Sequence, residues 1–133
     1  MAIQRKHIAE ITRFGISGVA GFLVDAGIVA ILSRKLGTDP VVAQGIAFTM
    51  AVTVTWLINR HWTFSENASE RWLHEWTRYV AANSVGAIVN NGTYIVLVFT
   101  EKVFTNAPVL AVAAGSIAGM VFNFTSSKIL VFR

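Results

Sequence analysis

The sequence predicts an all-α integral membrane protein that crosses the bilayer with four helices. Three observations carry that expectation: four long apolar stretches, charge gathered into short clusters between them, and basic residues concentrated on alternate connections. Of the 133 residues, 54% are hydrophobic and only 14% charged, whereas about one quarter of a soluble domain is charged. The length fits a single domain, residues 1–133. No cysteine is present, which excludes disulfide staples, thiol catalysis and Cys-ligated metals. The net charge of +4 reads as contact with anionic lipid rather than with nucleic acid.

The four stretches are Phe14 to Leu32, Val41 to Ile58, Tyr79 to Phe99 and Ala107 to Phe124, and Asp25 is the one charge they contain. About 20 apolar residues are needed to cross roughly 30 Å of hydrocarbon, and all four approach that length. Helices of a soluble bundle would show a polar stripe at helical spacing, and the second and fourth show none. A cleaved signal peptide is not expected, because the first stretch exceeds the 7–15 residues or so of an h-region and Asp25 interrupts it. The connections Ser33 to Pro40 and Thr100 to Asn106 are short. The longer link, Asn59 to Arg78, is expected to hold a helix capped by Ser69 and lying in the headgroup layer. Trp72, Leu73, Trp76 and Tyr79 would share one face, and Arg71 and Glu75 would pair on the other.

With an even number of crossings, one side holds Arg5, Lys6, Arg13, Arg60, Arg71, Arg78, Lys128 and Arg133, and the other Arg34, Lys35 and Lys102. The positive-inside rule then puts both termini and the middle link in the cytoplasm. The chain also reads as two parallel two-helix repeats, 13–64 and 78–133, joined by an interfacial link, 65–77. Arg13-Phe14 aligns with Arg78-Tyr79, Gly21 with Gly86, Asp25 with Asn90 and Gly27 with Gly92. Pro40 then falls on Pro108, and Trp56 to Phe64 falls on Phe124 to Phe132. Such repeats are related by an axis along the membrane normal.

Polar groups inside the spans are the candidate functional residues, because ionisable groups there are costly and usually face a bundle interior or wet cavity. Asp25 shares a face with Gly18 and Gly21, and Asn83, Gly86 and Asn90 repeat that spacing. The structural alternative is a protonated Asp25 bonded to Asn90 or Asn91. Asn90-Asn91-Gly92 is a polar break in the third span, suited to substrate contact or to a kink. Asn59-Arg60 and Ser127-Lys128 occupy equivalent helix ends, where the cations either bind a lipid phosphate or simply anchor. Trp62, Phe64, Leu130 and Phe132 read as an interface belt. Gly115-xxx-Gly119 is a packing face for the bundle or for a dimer. His7, His61 and His74 form no metal-ligand set with carboxylates, and no Ser-His-Asp set or phosphate-cradling loop occurs. Neither an enzyme nor a bound cofactor is expected. The sequon Asn67-Ala68-Ser69 lies on the expected cytoplasmic side and is read as unused.

With these residues in view, the chain resembles the GtrA-like family of small four-helix membrane proteins. The resemblance rests on three strings. Arg13-Phe14 precedes a Gly-rich first helix with Asp25. Asn59-Arg60-His61-Trp62-Thr63-Phe64 follows the second helix, and Phe122-Asn123-Phe124-Thr125-Ser126-Ser127-Lys128-Ile129-Leu130-Val131-Phe132 closes the fourth. It implies a role in cell-surface polysaccharide synthesis in a bacterial or archaeal cytoplasmic membrane. The expected activity is translocation of a polyprenyl-phosphate-linked sugar, with Asp25, Asn59, Arg60, Asn123 and Lys128 as the matching functional positions. On that reading Asp25, Asn90 and Asn91 meet sugar hydroxyls at mid-depth, and Arg60 and Lys128 receive the phosphate. Ser127-Lys128 replaces Asn-Arg in the second repeat, which weakens the idea of two equivalent phosphate clamps. Alternatives are a scaffold that recruits a glycosyltransferase and a small proton-coupled exporter using Asp25. A homodimer is expected, since four helices enclose little volume.

Overall fold

The computed structural model describes residues 1–133, and every regular element in it is helical. Helix α1 runs Ala2–Ala30, α2 Pro40–Ile58, α3 Trp72–Thr100, α4 Lys102–Asn106 and α5 Pro108–Ser126. All but α4 are long and apolar enough to cross a membrane, and little of their apolar surface is covered by the protein itself. In the most hydropathic window of each, the buried share is 11% for the first, 28% for the second, 6% for the third and 22% for the fourth. Ile16, Val19, Phe22, Val85, Ile88, Val96, Phe99, Val112 and Ile117 all point outward. A soluble bundle would bury such side chains, since each is worth about 1.5–3 kcal/mol out of water. Here lipid covers them, and the chain is an all-α multi-pass integral membrane protein.

α1 and α2 form one hairpin and α3 and α5 the other, and the two meet mainly along α2 and α3. Pro40 opens α2 and Pro108 opens α5, each at a position where the missing N–H costs nothing. The Asp39 carboxylate caps α2 by accepting from the Val41 and Val42 N–H groups. The α3–α5 hairpin closes tightly because glycines remove side chains from the seam. A Cβ on Gly115 would lie 2.6 Å from the Asn90 carbonyl oxygen, and one on Gly119 would lie 3.0 Å from the Asn90 Cβ. Gly115-xxx-Gly119 therefore serves the bundle rather than a dimer face.

Both second helices end in a π-turn, Asn59–Thr63 and Ser127–Val131. The Phe64 N–H donates to the Asn59 carbonyl and the Phe132 N–H to the Ser127 carbonyl, each at 2.8 Å. The extra residue in the turn rotates the chain that follows. It swings Phe64 and Phe132 inward, where their rings stack with centroids 5.1 Å apart. Phe14, Phe124 and Tyr79 complete an aromatic cluster at the end of the bundle that carries most of the basic residues, called here the basic end. The expected interface belt is thus corrected: Trp62 and Leu130 are exposed, but Phe64 and Phe132 belong to the core.

Two further expectations change. Residues 65–77 hold no separate interfacial helix, because Trp72 opens α3 and the helix runs unbroken into the span. Ser69 does not cap it; its hydroxyl accepts from the Arg71 N–H, and Arg71 occupies the N-cap position. Glu75 turns inward instead of pairing with Arg71, because Arg60 and Trp56 wait for it across the seam. At the other end of the chain, α1 begins at Ala2, about three turns before the apolar stretch, since a helix continues past the hydrocarbon boundary wherever its residues allow.

Candidate functional site

Inside the bundle, on the half nearer the basic end, lies a cavity of about 510 Å³, within the roughly 300–1,000 Å³ range of small-molecule sites. All four long helices contribute to it. One wall, from α3 and α5, presents Asn83, Asn90, Ser116 and Asn123. The facing wall, from α1, presents Gly15, Gly18, Val19 and Phe22. Amides thus face a glycine and hydrocarbon surface across a gap. The rim residues Val19 and Phe22 on α1 and Met120 on α5 are exposed to the surroundings of the bundle. The aromatic contact of Phe14 with Phe124 joins α1 to α5 at the basic end. Beyond that contact the cavity opens sideways toward lipid.

The floor of the cavity is a hydrogen-bonded chain at the basic end. The Thr63 hydroxyl donates to the Asn59 Oδ1 at 2.8 Å, the Asn59 amide donates to the Tyr79 hydroxyl at 2.9 Å, and that hydroxyl donates to Thr55 at 3.0 Å. Asn59 is wholly enclosed, and its amide is taken up by this chain. Asn123 differs. Its Oδ1 is buried, sits over Gly86 and has no protein partner. A buried acceptor left unpaired costs about 1–3 kcal/mol, and this oxygen is closed off from the cavity by its packing against Gly86. The Ser127 hydroxyl is also buried and unpaired. It stands where Asn59 stands in the first hairpin, but the residue matching Tyr79 there is Phe14, which has no hydroxyl to meet it.

Below the floor, two buried carboxylates hold the two cations named from the sequence. Glu75, with 1% of its side chain exposed, accepts from Arg60 at 2.6 Å, from the Trp56 indole at 3.0 Å and from the Ser69 backbone N–H at 2.6 Å. Lys128 donates to Glu10 and lies 2.8 Å from the His7 Nδ1. Each cation also rests over an aromatic ring, Arg60 over Trp56 and Lys128 over Phe124, both at 5.8 Å. The two arrangements cross between hairpins. Arg60 follows α2 and pairs with α3, while Lys128 follows α5 and pairs with α1. Both cations are neutralised, so neither is held ready for a free phosphate.

Of the sequence-predicted residues, Asn59, Asn90 and Asn123 line the cavity. Asp25, Asn91, Arg60 and Lys128 do not. Asp25 accepts from the Gln44 amide at 3.1 Å, within the first hairpin, and does not reach Asn90. The exposed Asn91 donates to the Ala87 carbonyl one turn back, so the Asn90-Asn91-Gly92 string leaves α3 unbroken. Sequence reasoning missed Glu10 and Glu75 as partners, and Thr55 and Tyr79 as cavity floor. A signal for the carboxylates was present: extending the pairing of Arg13 with Arg78 by three residues puts Glu10 on Glu75.

The chain matches the GtrA/DPMS transmembrane domain family over residues 13–132. The matched region takes in all the cavity-lining residues, both π-turns and Glu75, and leaves out Glu10. That match ties the chain to the handling of lipid-linked sugars, and on the strength of it the chain belongs to the GtrA/DPMS transmembrane domain family.

Proposed function

We propose that this chain moves a polyprenyl-phosphate-linked sugar between the leaflets of a bacterial or archaeal cytoplasmic membrane, without changing the cargo chemically. The observation that carries the reading is the laterally open, amide-walled cavity lined by Asn83, Asn90 and Asn123. Bare sugar hydroxyls in hydrocarbon are costly. Asn83, Asn90 and Asn123 offer them partners, and the glycine and hydrocarbon wall suits the apolar face of a pyranose. The prenyl tail stays in lipid and passes through the opening between α1 and α5. A homodimer would lengthen the polar path, and a glycosyltransferase on the cytoplasmic side would supply the cargo. The exporter reading loses its geometric support, since Asp25 bonds Gln44 outside the cavity.

The test uses purified protein in liposomes that carry labelled polyprenyl-phospho-sugar on one leaflet. Wild type is expected to speed transfer of label to the other leaflet. Asn90→Ala and Asn123→Ala should each slow it about tenfold, the effect of roughly 1.4 kcal/mol of lost hydrogen bonding. No acceleration by wild type would favour the scaffold instead, and full rates in both variants would overturn the cavity as the path.

A further inference from the structure

A second concavity lies on a different face of α3 and α5, outside the bundle. It encloses about 400 Å³ between Ala81, Val85 and Phe122, and Arg78, Leu130 and Arg133 close it at the basic end. Its walls are apolar and small, and its mouth carries two guanidinium groups. Among the chain's 11 basic residues, those paired with carboxylates are Lys6, Arg60 and Lys128. Neither Arg78 nor Arg133 has an Asp or Glu carboxylate within 4.0 Å. One Arg78 N–H donates to the Leu130 carbonyl at 3.2 Å, which holds its guanidinium at the mouth with other donors free.

The matching place on the first hairpin is built differently. Arg13 donates to the Trp62 carbonyl at 3.3 Å, as Arg78 does to Leu130, but its guanidinium lies over the Trp62 ring at 5.6 Å. The residue that corresponds to Arg133 is Ser65, and it is followed by Glu66, which pairs with Lys6 at 2.8 Å. The second hairpin alone therefore combines an open apolar groove with two guanidinium groups that no acidic side chain pairs, of which Arg78 is the fixed one. In a bilayer, such a groove is filled by lipid. The charge at its mouth selects a lipid with net negative charge, because a zwitterionic headgroup brings its own cation against the two arginines.

We infer that this groove is a specific site for an anionic phospholipid of the leaflet at the basic end. Arg78 and Arg133 hold the phosphate, and an acyl chain lies along Ala81, Val85 and Phe122. The site is independent of the translocation reading, since it uses none of the cavity residues.

Native mass spectrometry of the full chain released from nanodiscs tests it. The nanodiscs contain phosphatidylglycerol and phosphatidylcholine in equal parts, and one arm adds undecaprenyl phosphate. Wild type is expected to retain phosphatidylglycerol over phosphatidylcholine by about tenfold or more, given roughly 1 kcal/mol for each basic residue at the surface. The double variant Arg78→Gln/Arg133→Gln should retain the two lipids equally, while Arg13→Gln should keep the preference. The double variant Arg78→Lys/Arg133→Lys should keep part of it, which separates charge recognition from a folding defect. Equal retention by wild type, or an unchanged preference in Arg78→Gln/Arg133→Gln, would overturn the site. Displacement of phosphatidylglycerol by undecaprenyl phosphate would overturn it too, and would mark the groove as a cargo site.

Discussion

Glu75 shows what a single side chain decides in this fold. A carboxylate with almost no exposure would be costly alone, yet three donors converge on it from the end of α2, the π-turn and the link. Removing one partner of a buried ion pair leaves the other uncompensated, at about 3–5 kcal/mol. Glu75→Ala is therefore expected to lower the thermal midpoint in detergent by several degrees, whereas Glu66→Gln should leave it unchanged. Glu66 makes a similar contact with Lys6, but both side chains are largely exposed and solvent screens them. An equal fall for the two variants would show that the Glu75 site is not desolvated. The same logic bears on the two cations at the helix ends. The sequence left Arg60 and Lys128 between anchoring and phosphate binding, because their carboxylate partners lie on other helices, 15 residues away for Glu75 and 118 for Glu10.

At the scale of the element, the hairpins are made by what is missing from them. Lipid tails are as apolar as leucine, so helices associate in a membrane by close contact rather than by hiding from water. Gly115 and Gly119 let α5 approach the α3 backbone at Asn90. A methyl group on Gly115 would meet backbone oxygen, which cannot rotate away. Gly115→Ala is expected to cost about 1–3 kcal/mol by overpacking, read as a lower midpoint of thermal unfolding. Gly27→Ala is the control, because nothing lies within 4 Å of a Cβ there and the midpoint should hold or rise. The glycine spacing was visible in the sequence, but its partner was not. Which helix a small-residue face meets depends on how the hairpins close, and that is set by the seam itself.

For the whole molecule, the arrangement that matters is two hairpins meeting at a stacked pair, Phe64 on Phe132, with a cavity left open above it. The absence of cysteine makes the topology easy to check, since single cysteines can be introduced without a background. Asn67→Cys is expected to react with a membrane-impermeant maleimide only from the cytoplasmic side. Thr38→Cys and Thr105→Cys should react only from the opposite side. Labelling of Asn67 and Thr38 from the same face would undo the four-span arrangement and the sidedness derived from the basic residues.

The number of spans, the scarcity of charge and the expected sidedness follow from the sequence by itself, because hydropathy and charge are sums over neighbouring residues. Asn90 was legible as a polar group inside an apolar stretch, whereas Asn123 stood out only through the family resemblance. Which of those polar groups share a space was left to the tertiary structure. A membrane helix has apolar residues on its lipid face and its buried face alike, so periodicity does not say which way Asp25 or Asn91 turns. Helix rotation and the closeness of distant segments settle that. They seat Asp25 against Gln44, take Asn59 into a hydrogen-bonded floor, and pack the unpaired Asn123 oxygen against Gly86.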